Sequence, residues 1–220
     1  MYKFFANKLE DGIFYFSDEI QKHFKVLRFN KENIIVNYEN KFYECQFVFP
    51  NSAKLVKELD INNELDYKIS VAIPLIKQNH FEIALQKAVE LGAYEIYVFQ
   101  SQYVDKSNLT FASKKQRYEK IIFEACQQSF RNYIPRLHDP ISFSELCVLD
   151  IKNKVLAYEN KKNNELIKDC QDALIIVGPE GGFSQQEIDY AISCNVQVVS
   201  LTKTILRAET ALIYMLSKLN

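Results

Sequence analysis

Apolar and polar residues alternate in short runs over the first sixty residues, and these runs predict β-strands. Aromatic and β-branched side chains recur at every second position, as in strands with one buried face. The predicted strands span residues 2–6, 12–16, 33–38 and 41–49. One short helix interrupts them, because Ser17 can cap a segment in which Ile20, Phe24 and Leu27 follow at helical spacing. We therefore expect a small barrel or a curled sheet in this part of the chain.

The pattern changes near residue 68, where strands begin to alternate with helices. The predicted strands span residues 67–75, 94–99, 155–158, 173–177 and 196–201, and the predicted helices span 79–91, 113–129, 163–170, 185–194 and 208–219. Asn79 and Glu82 are a candidate capping pair for the first of these helices, and Gly92 provides its stop. Such alternation predicts an α/β fold with a mainly parallel sheet that is covered on both faces. The predicted domains are 1–67 and 68–220.

Composition and charge narrow the class of protein. Of the 220 residues, 48% are hydrophobic and 25% are charged, which is the balance of a globular protein. The formal net charge is −1, so any contact with nucleic acid has to come from a local basic patch. The N-terminal residues lack the long apolar core of a signal peptide, and no apolar run approaches membrane-spanning length. We expect a cytoplasmic protein with no membrane partner.

The cysteines are odd in number and widely spaced, at Cys45, Cys126, Cys147, Cys170 and Cys194. They form no C-x-x-C pair, and none lies near a histidine at the spacing of metal ligands. Zinc binding, a disulfide or a nucleophilic thiol are the functional alternatives. The favoured interpretation is small buried thiols in a reducing compartment, with no metal site.

A glycine-rich segment follows the apolar run at 173–177. Three of the five glycines in the chain lie within Gly178-Pro179-Glu180-Gly181-Gly182. Glycine lets the backbone turn sharply and approach a ligand without a Cβ in the way, and open α/β sheets place their ligands at turns between a parallel strand and a helix. Ser184 and Glu187 form a capping box for the next helix. An ordinary glycine-rich turn is the alternative interpretation.

The glycine-rich segment does not match the common phosphate-binding patterns. It contains no G-x-G-x-x-G, and no Lys-Ser or Lys-Thr pair of a Walker A motif follows it. The acidic Glu180 inside the turn disfavours a bare triphosphate and suits a ligand with ribose hydroxyls or a positive centre. An unrelated nucleotide-using α/β enzyme is therefore disfavoured.

A second polar segment spans residues 201–211 and again joins the end of a strand to a helix. Arg207, Glu209 and Thr210 cluster where the last helix begins. The alternative to a functional role is an ordinary first helical turn, in which Glu209 complements the helix dipole and Arg207 is solvated.

Together these segments resemble the RsmE family of ribosomal RNA methyltransferases, which belongs to the SPOUT superfamily. The resemblance extends over almost the whole chain. The matching stretches are HFKVLR at 23–28, QKAVELG at 86–92, EACQQSFR at 124–131, GPEGGFSQQE at 178–187 and ILRAETA at 205–211. Each is weak alone, but five in the right order are a specific signal.

The resemblance implies a fold and an activity. The fold would be α/β, with a C-terminal trefoil-knotted SPOUT methyltransferase domain and a small N-terminal PUA-like β-barrel that helps to hold RNA. The activity would be transfer of a methyl group from S-adenosylmethionine to N3 of a uridine in 16S ribosomal RNA of the small subunit, by a homodimer. The alternatives are a knotted methyltransferase that acts on tRNA, and a non-catalytic ribosome-assembly factor that binds RNA.

The resemblance also implies a cofactor site in loops that follow three strands. Its expected residues are Leu156, Tyr158, Val177, Gly178, Glu180, Gly181, Gly182, Leu201, Ile205, Leu206, Arg207 and Thr210. Backbone groups would hold the adenine, and Glu180 would hydrogen-bond the ribose or complement the sulfonium. Arg207 is the candidate for stabilising charge that develops on the uracil carbonyls, and Glu209 is a candidate base.

RNA contacts are expected from His23, Lys25, Arg28, Lys87 and Arg131. For the basic run around His23, the alternative is a solvated helix face. The chain departs from the family at two places. Leu201-Thr202-Lys203-Thr204 replaces L-G-x-R, and Gln102-Tyr103-Val104 replaces an E-R-S triplet.

Overall fold

The structure is a computed structural model that describes residues 2–27, 33–104, 110–159 and 172–219. The helix predicted at 163–170 and the candidate Arg28 lie outside these ranges. The chain divides into two compact units. Unit 1 comprises Met1–Glu64 and Cys126–Tyr133, and unit 2 comprises Leu65–Ala125 and Ile134–Asn220.

Unit 1 contains a curled six-stranded sheet and one helix. Its elements are β1 (Lys3–Phe5), β2 (Lys8–Glu10), β3 (Ile13–Tyr15), α1 (Asp18–Leu27), β4 (Asn33–Tyr38), β5 (Lys41–Val48) and β6 (Ser52–Leu59). The strand order is β1-β4-β5-β6-β3-β2, and every neighbouring pair is antiparallel except β1 with β4. Because β1 and β2 stand at opposite ends of this order, the described sheet is a half-barrel.

Aromatic side chains fill the core of unit 1. Phe4, Phe14 and Phe24 are almost completely buried, and the rings of Phe4 and Phe24 meet edge to face with their centroids 4.7 Å apart. Such burial stabilises the fold by about 1.5–3 kcal/mol for each large side chain. Phe24 and Ile20 form the buried face of α1, so the helix predicted from their spacing is confirmed.

Unit 2 contains a parallel sheet with helices between its strands. Its elements are β7 (Ile69–Pro74), α2 (Gln78–Glu90), β8 (Glu95–Gln100), α3 (Phe111–Ser129, whose last four residues are assigned to unit 1), β9 (Arg136–Leu137), β10 (Ile141–Ser142), α4 (Phe143–Cys147), β11 (Asn153–Ala157), β12 (Ala173–Ile176), α5 (Gln185–Ser193), β13 (Gln197–Val199) and α6 (Ala208–Leu219). The strand order is β10-β8-β7-β12-β11-β13, with β9 beside β8, and all of these pairs are parallel. The predicted α/β fold is confirmed.

The middle of the parallel sheet is apolar on both faces. All six residues of β7 and all four of β12 are buried, as expected for strands that are covered on both sides. The two strands pair in register, with Val71 opposite Ile175. The segments that follow β7, β11, β12 and β13 therefore leave the sheet at the same edge, where open α/β sheets hold their ligands.

The predicted cap of α2 is wrong. The helix begins at Gln78, and its N-cap Lys77 makes no side-chain capping bond. Glu82 instead binds Arg117 at 2.6 Å and Gln78 at 2.6 Å. The predicted stop at Gly92 is confirmed, because its φ of +87° is a left-handed conformation that glycine adopts without strain.

Three of the four thiols that the structure describes are buried and one, Cys194, is partly exposed, whereas Cys170 lies outside the described ranges. Cys45, Cys126, Cys147 and Cys194 are free, and burial raises the pKa of the first three to about 12. Across the described ranges, no group of three His, Cys, Asp or Glu side chains is arranged to hold a metal ion. Nor does any helix in those ranges have the length and apolar character needed to cross a bilayer.

A buried ion pair fastens residues 131–133 within unit 1. Arg131 is 3% exposed, and its guanidinium contacts both carboxylate oxygens of Glu64 at 2.5–2.9 Å. The backbone amides of Asn132 and Tyr133 donate to the same carboxylate at 2.7 and 3.1 Å. Burial by itself would raise the pKa of Glu64, but Arg131 and the two amides outweigh it and hold the pKa below its usual value.

We expect Glu64→Gln to lower the free energy of unfolding by about 3 kcal/mol near neutral pH, because it leaves the Arg131 charge buried without a counter-ion. A group whose pKa is lowered by folding contributes stability above its unfolded-state pKa, and that contribution is lost as the pH falls through the folded-state value. The difference between wild type and variant should therefore shrink below about pH 4. Urea titrations followed by circular dichroism at several pH values would measure this difference in stability. A difference that does not change with pH would contradict the role of an ionised Glu64 in the pair with Arg131.

Candidate active site

A cleft opens at the edge of the unit 2 sheet where the parallel strands end. Its volume is about 410 Å³, within the range of pockets that hold small molecules and cofactors. Its walls come from the ends of β11, β12 and β13 and from the first turns of α2 and α6. One site therefore collects residues from four separate segments of the chain, since the end of β13 runs directly into α6.

Most of the sequence-predicted cofactor residues line this cleft. They are Tyr158, Gly178, Glu180, Gly182, Leu201, Ile205, Leu206 and Arg207, and the candidate base Glu209 lines it as well. Leu156, Val177, Gly181 and Thr210 are not among the lining residues. Leu156 and Val177 are completely buried in the sheet, so they can reach a ligand only through their backbone groups.

The three glycines of the loop are required for different reasons. A Cβ on Gly178 would lie 3.0 Å from the ring of Phe183, and one on Gly182 would lie 2.8 Å from Oε1 of Glu159. Gly182 also has a φ of +70°, which L-residues rarely adopt. A Cβ on Gly181 would lie 2.8 Å from Cβ of Tyr103. Gly181 thus allows close packing against Tyr103, whereas Gly178 and Gly182 shape the cleft wall.

Glu187 ties the glycine loop to the end of β8. The capping box with Ser184 is present, so that prediction is confirmed. One carboxylate oxygen of Glu187 accepts hydrogen bonds from the backbone N–H of Ser184 at 2.9 Å and from its hydroxyl. The other accepts from the Ser101 hydroxyl and the Gln102 backbone N–H, both at 2.9 Å. The segment that departs from the family's E-R-S triplet therefore supports the loop through a backbone group of Gln102 and through Tyr103.

The second departure, at 201–204, forms a turn closed by threonine. The Thr202 hydroxyl donates to the carbonyl of Thr204 at 2.5 Å. Both residues line the cleft, as does the following Ile205, whose side chain is 82% exposed. The 201–205 segment thus presents two threonine hydroxyl groups and the exposed side chain of Ile205 to the cleft.

Charged groups of both signs face the cleft. Arg207, Glu180 and Glu159 line it. Within the ranges that the structure describes, the Arg207 side chain makes no hydrogen bond or ion pair, so its guanidinium is available to a ligand. Glu180 accepts a hydrogen bond from the backbone N–H of Lys77 at 3.3 Å. Glu209 is only 8% exposed, and its Oε1 lies 2.8 Å from Nδ1 of His80.

Sequence reasoning missed Lys77 and His80. Both lie in the segment that follows β7, and Lys77 is 103 residues from its partner Glu180 along the chain. Local patterns carry no sign of such a pairing. The only available signal was that a polar segment follows a predicted buried strand, the same position that the glycine loop occupies after β12.

The predicted RNA-binding residues lie in different environments. His23 and Lys25 are exposed on α1, whereas Lys87 is paired with Glu90 at 2.8 Å. Arg131 has its guanidinium buried against Glu64. This burial gives Arg131 an internal partner in place of a phosphate.

Comparison with known proteins identifies relatives over the full length of the chain. A profile of the RNA methyltransferase domain matches residues 63–220. The ribosomal RNA small subunit methyltransferase E of Mesomycoplasma hyopneumoniae is 40% identical over 225 residues, covering 99% of this chain and 98% of that protein. The protein of the same name from Bacillus subtilis is 29% identical, and the match covers 92% of this chain and 87% of that protein.

A solved structure of similar fold contains a bound cofactor. The crystal structure of ribosomal RNA small subunit methyltransferase E from Neisseria gonorrhoeae, bound to S-adenosyl methionine, has a TM-score of 0.89 at 26% identity. The match covers 99% of this chain and 95% of that chain. The α/β fold described above is therefore the fold of a known methyltransferase.

We expect Gly182→Ala to lower the free energy of unfolding by more than Gly12→Ala. Both glycines have a left-handed φ, which costs an L-residue about 1–2 kcal/mol. A Cβ at Gly12 would meet nothing within 4 Å, whereas one at Gly182 would collide with Glu159. Chemical denaturation would measure the free energy of unfolding of the two variants. Equal losses would contradict the prediction, because they would show that the Glu159 side chain moves aside at no energetic cost.

Proposed function

Because the chain belongs to the RNA methyltransferase family, with the ribosomal RNA small subunit methyltransferase E proteins as its relatives, we propose that it transfers a methyl group from S-adenosylmethionine to N3 of a uridine in 16S ribosomal RNA. The observation that carries this proposal is the cleft itself. It unites the glycine loop with the 200–207 loop, which carries Arg207, in a chain whose fold matches that of a cofactor-bound relative.

The lining of the cleft fits S-adenosylmethionine. Apolar contact for an adenine ring is available from Ala157, Leu201 and Leu206. The carboxylates of Glu159 and Glu180 would complement the positive sulfonium and bind the ribose hydroxyls or the amino group. Bound in this cleft, the cofactor supplies an electrophilic methyl group, and the protein supplies its position relative to the RNA base.

Arg207 is the group placed to stabilise the transition state. When N3 of uridine loses its proton, negative charge spreads onto the two flanking carbonyl oxygens. A guanidinium presents several N–H donors in one plane and is always charged. Its location in a partly enclosed cleft strengthens that interaction relative to water.

The finer features of the fold and the assembly are also part of the proposal. We place the RNA-holding role in unit 1, where His23 and Lys25 are exposed. Arg28, which follows α1 in the sequence, is proposed to share this role, and the half-barrel of unit 1 is proposed to be the PUA-like module. We further propose that unit 2 carries the trefoil knot and that the protein acts as a homodimer, as the resemblance to the family implies. With ribosomal RNA of the small subunit as its partner, the protein acts in the cytoplasm.

The function is tested by mapping 16S ribosomal RNA from cells with and without the gene. A methyl group on N3 blocks Watson–Crick pairing, so reverse transcriptase should stop at the modified uridine only when the gene is present. Restoring the gene on a plasmid should restore the stop. If the stop is unchanged in the deletion strain while the purified protein still binds the cofactor, the RNA substrate is a different one, such as tRNA. Absence of cofactor binding in calorimetry would instead indicate an assembly factor.

We expect Arg207→Ala to lower kcat about 10²- to 10³-fold while leaving the Kd for S-adenosylmethionine within about twofold, because the guanidinium acts on charge that develops only during transfer. Single-turnover methylation assays and calorimetry would measure the two quantities. Lys203→Ala is the matched control, since this cation lies in the same loop but does not line the cleft. An equal loss of rate in both variants would remove Arg207 from this role.

A further inference from the structure

A histidine and a carboxylate form a pair in the wall of the cleft. His80 lies in the first turn of α2 and Glu209 in the first turn of α6, and both line the cleft. Nδ1 of His80 is 2.8 Å from Oε1 of Glu209. An ionised carboxylate only accepts hydrogen bonds. The contact therefore places the proton of a neutral imidazole on Nδ1 and leaves the lone pair on Nε2.

The second ring nitrogen of His80 is available to a ligand. No hydrogen bond engages Nε2 in the portion of the chain for which coordinates are described. The side chain of His80 is 20% exposed to solvent, whereas that of Glu209 is 11% exposed. The histidine is therefore the member of the pair that can meet a substrate, and the carboxylate lies behind it.

We propose that His80 is the general base that removes the N3 proton of the target uridine, and that Glu209 is its positioning residue. The inference rests on the proposed function. The N3–H proton moves to Nε2 of His80, and the electron pair left on N3 forms the bond to the methyl carbon. The bond between that carbon and the sulfonium sulfur breaks, and its electron pair stays on the sulfur. The imidazolium that results is held beside the Glu209 carboxylate.

The arrangement favours His80 over the carboxylates as the base. An imidazole is a much stronger base than a carboxylate and is therefore better matched to the N3 proton. Glu209 already uses one oxygen on His80. The other charged groups that line the cleft are Lys77 on the β7–α2 segment, Glu159 after β11, Glu180 in the glycine loop, and Arg207 before α6.

The test is His80→Gln, with His138→Gln as the matched control. His138 also lies beside a carboxylate, 3.4 Å from Glu95, but outside the cleft. We expect H80Q to bind S-adenosylmethionine with a Kd within about twofold of wild type and to lose about 10²-fold in kcat near pH 7. At about pH 9.5 hydroxide removes the N3 proton without help, so the deficit should shrink at least tenfold. H138Q should keep the wild-type rate at both pH values.

Glu209→Gln tests the positioning role. It should lower kcat less than H80Q does, and the double variant should be no slower than H80Q, because the two residues act through one proton transfer. The double variant also removes the carboxylate that H80Q leaves without a partner, so it serves if H80Q does not fold. Additive losses would overturn the positioning role of Glu209.

Three results would overturn the assignment of His80: a wild-type rate in H80Q, a deficit that stays constant from pH 7 to 9.5, or a rate loss explained by weaker cofactor binding. Failure of the proposed function looks different. In that case the wild-type protein itself neither binds the cofactor nor methylates small subunits purified from the deletion strain.

Discussion

Parallel pairing of β7 with β12 is the constraint on which the cleft depends. The two strands are buried at every position and lie side by side although about a hundred residues separate them. Because they run in the same direction, the segments that follow them leave the sheet at one edge. This is why the backbone of Lys77 can donate to Glu180 in the glycine loop. A sheet with β12 reversed would send the glycines to the opposite edge, away from His80.

The shape of the cleft follows from close packing beneath it. The ring of Phe183, which packs with Phe143 and Phe99 in one apolar cluster, leaves no room for a side chain at Gly178. A Cβ on Gly181 would collide with Cβ of Tyr103, and one on Gly182 would displace the end of the Glu159 side chain. The glycines are therefore not merely flexible links, since their neighbours determine where the backbone runs. Glu187 then holds the loop against the end of β8, because it accepts two hydrogen bonds from Ser184 and two from Ser101 and Gln102.

Burial decides the role of each charged residue. Arg131 and Arg207 both lie in segments that resemble the family's motifs, yet Arg131 is buried against Glu64 while Arg207 lines an open cleft. A buried charge must be paired, because its desolvation is otherwise too costly. The exposed guanidinium of Arg207, which pairs with no group among the residues that the structure describes, costs the fold little and is available to a ligand. The His80–Glu209 pair lies between these cases, since the carboxylate is buried and the imidazole reaches the cleft.

The sequence by itself determined most of the helices and strands with their approximate boundaries, and the segments that carry the chemistry, but it did not predict β2, β6, β9, β10 or α4. The alternation of apolar residues, the Ser184–Glu187 capping box and the three clustered glycines act over a few residues, and such local signals can be read directly from the chain. Only the tertiary structure decided which segments meet. His80 and Glu209 are 129 residues apart, and Arg131 meets Glu64 across 67. These pairs form because the sheets bring distant backbones together, and no periodicity along the chain encodes that proximity.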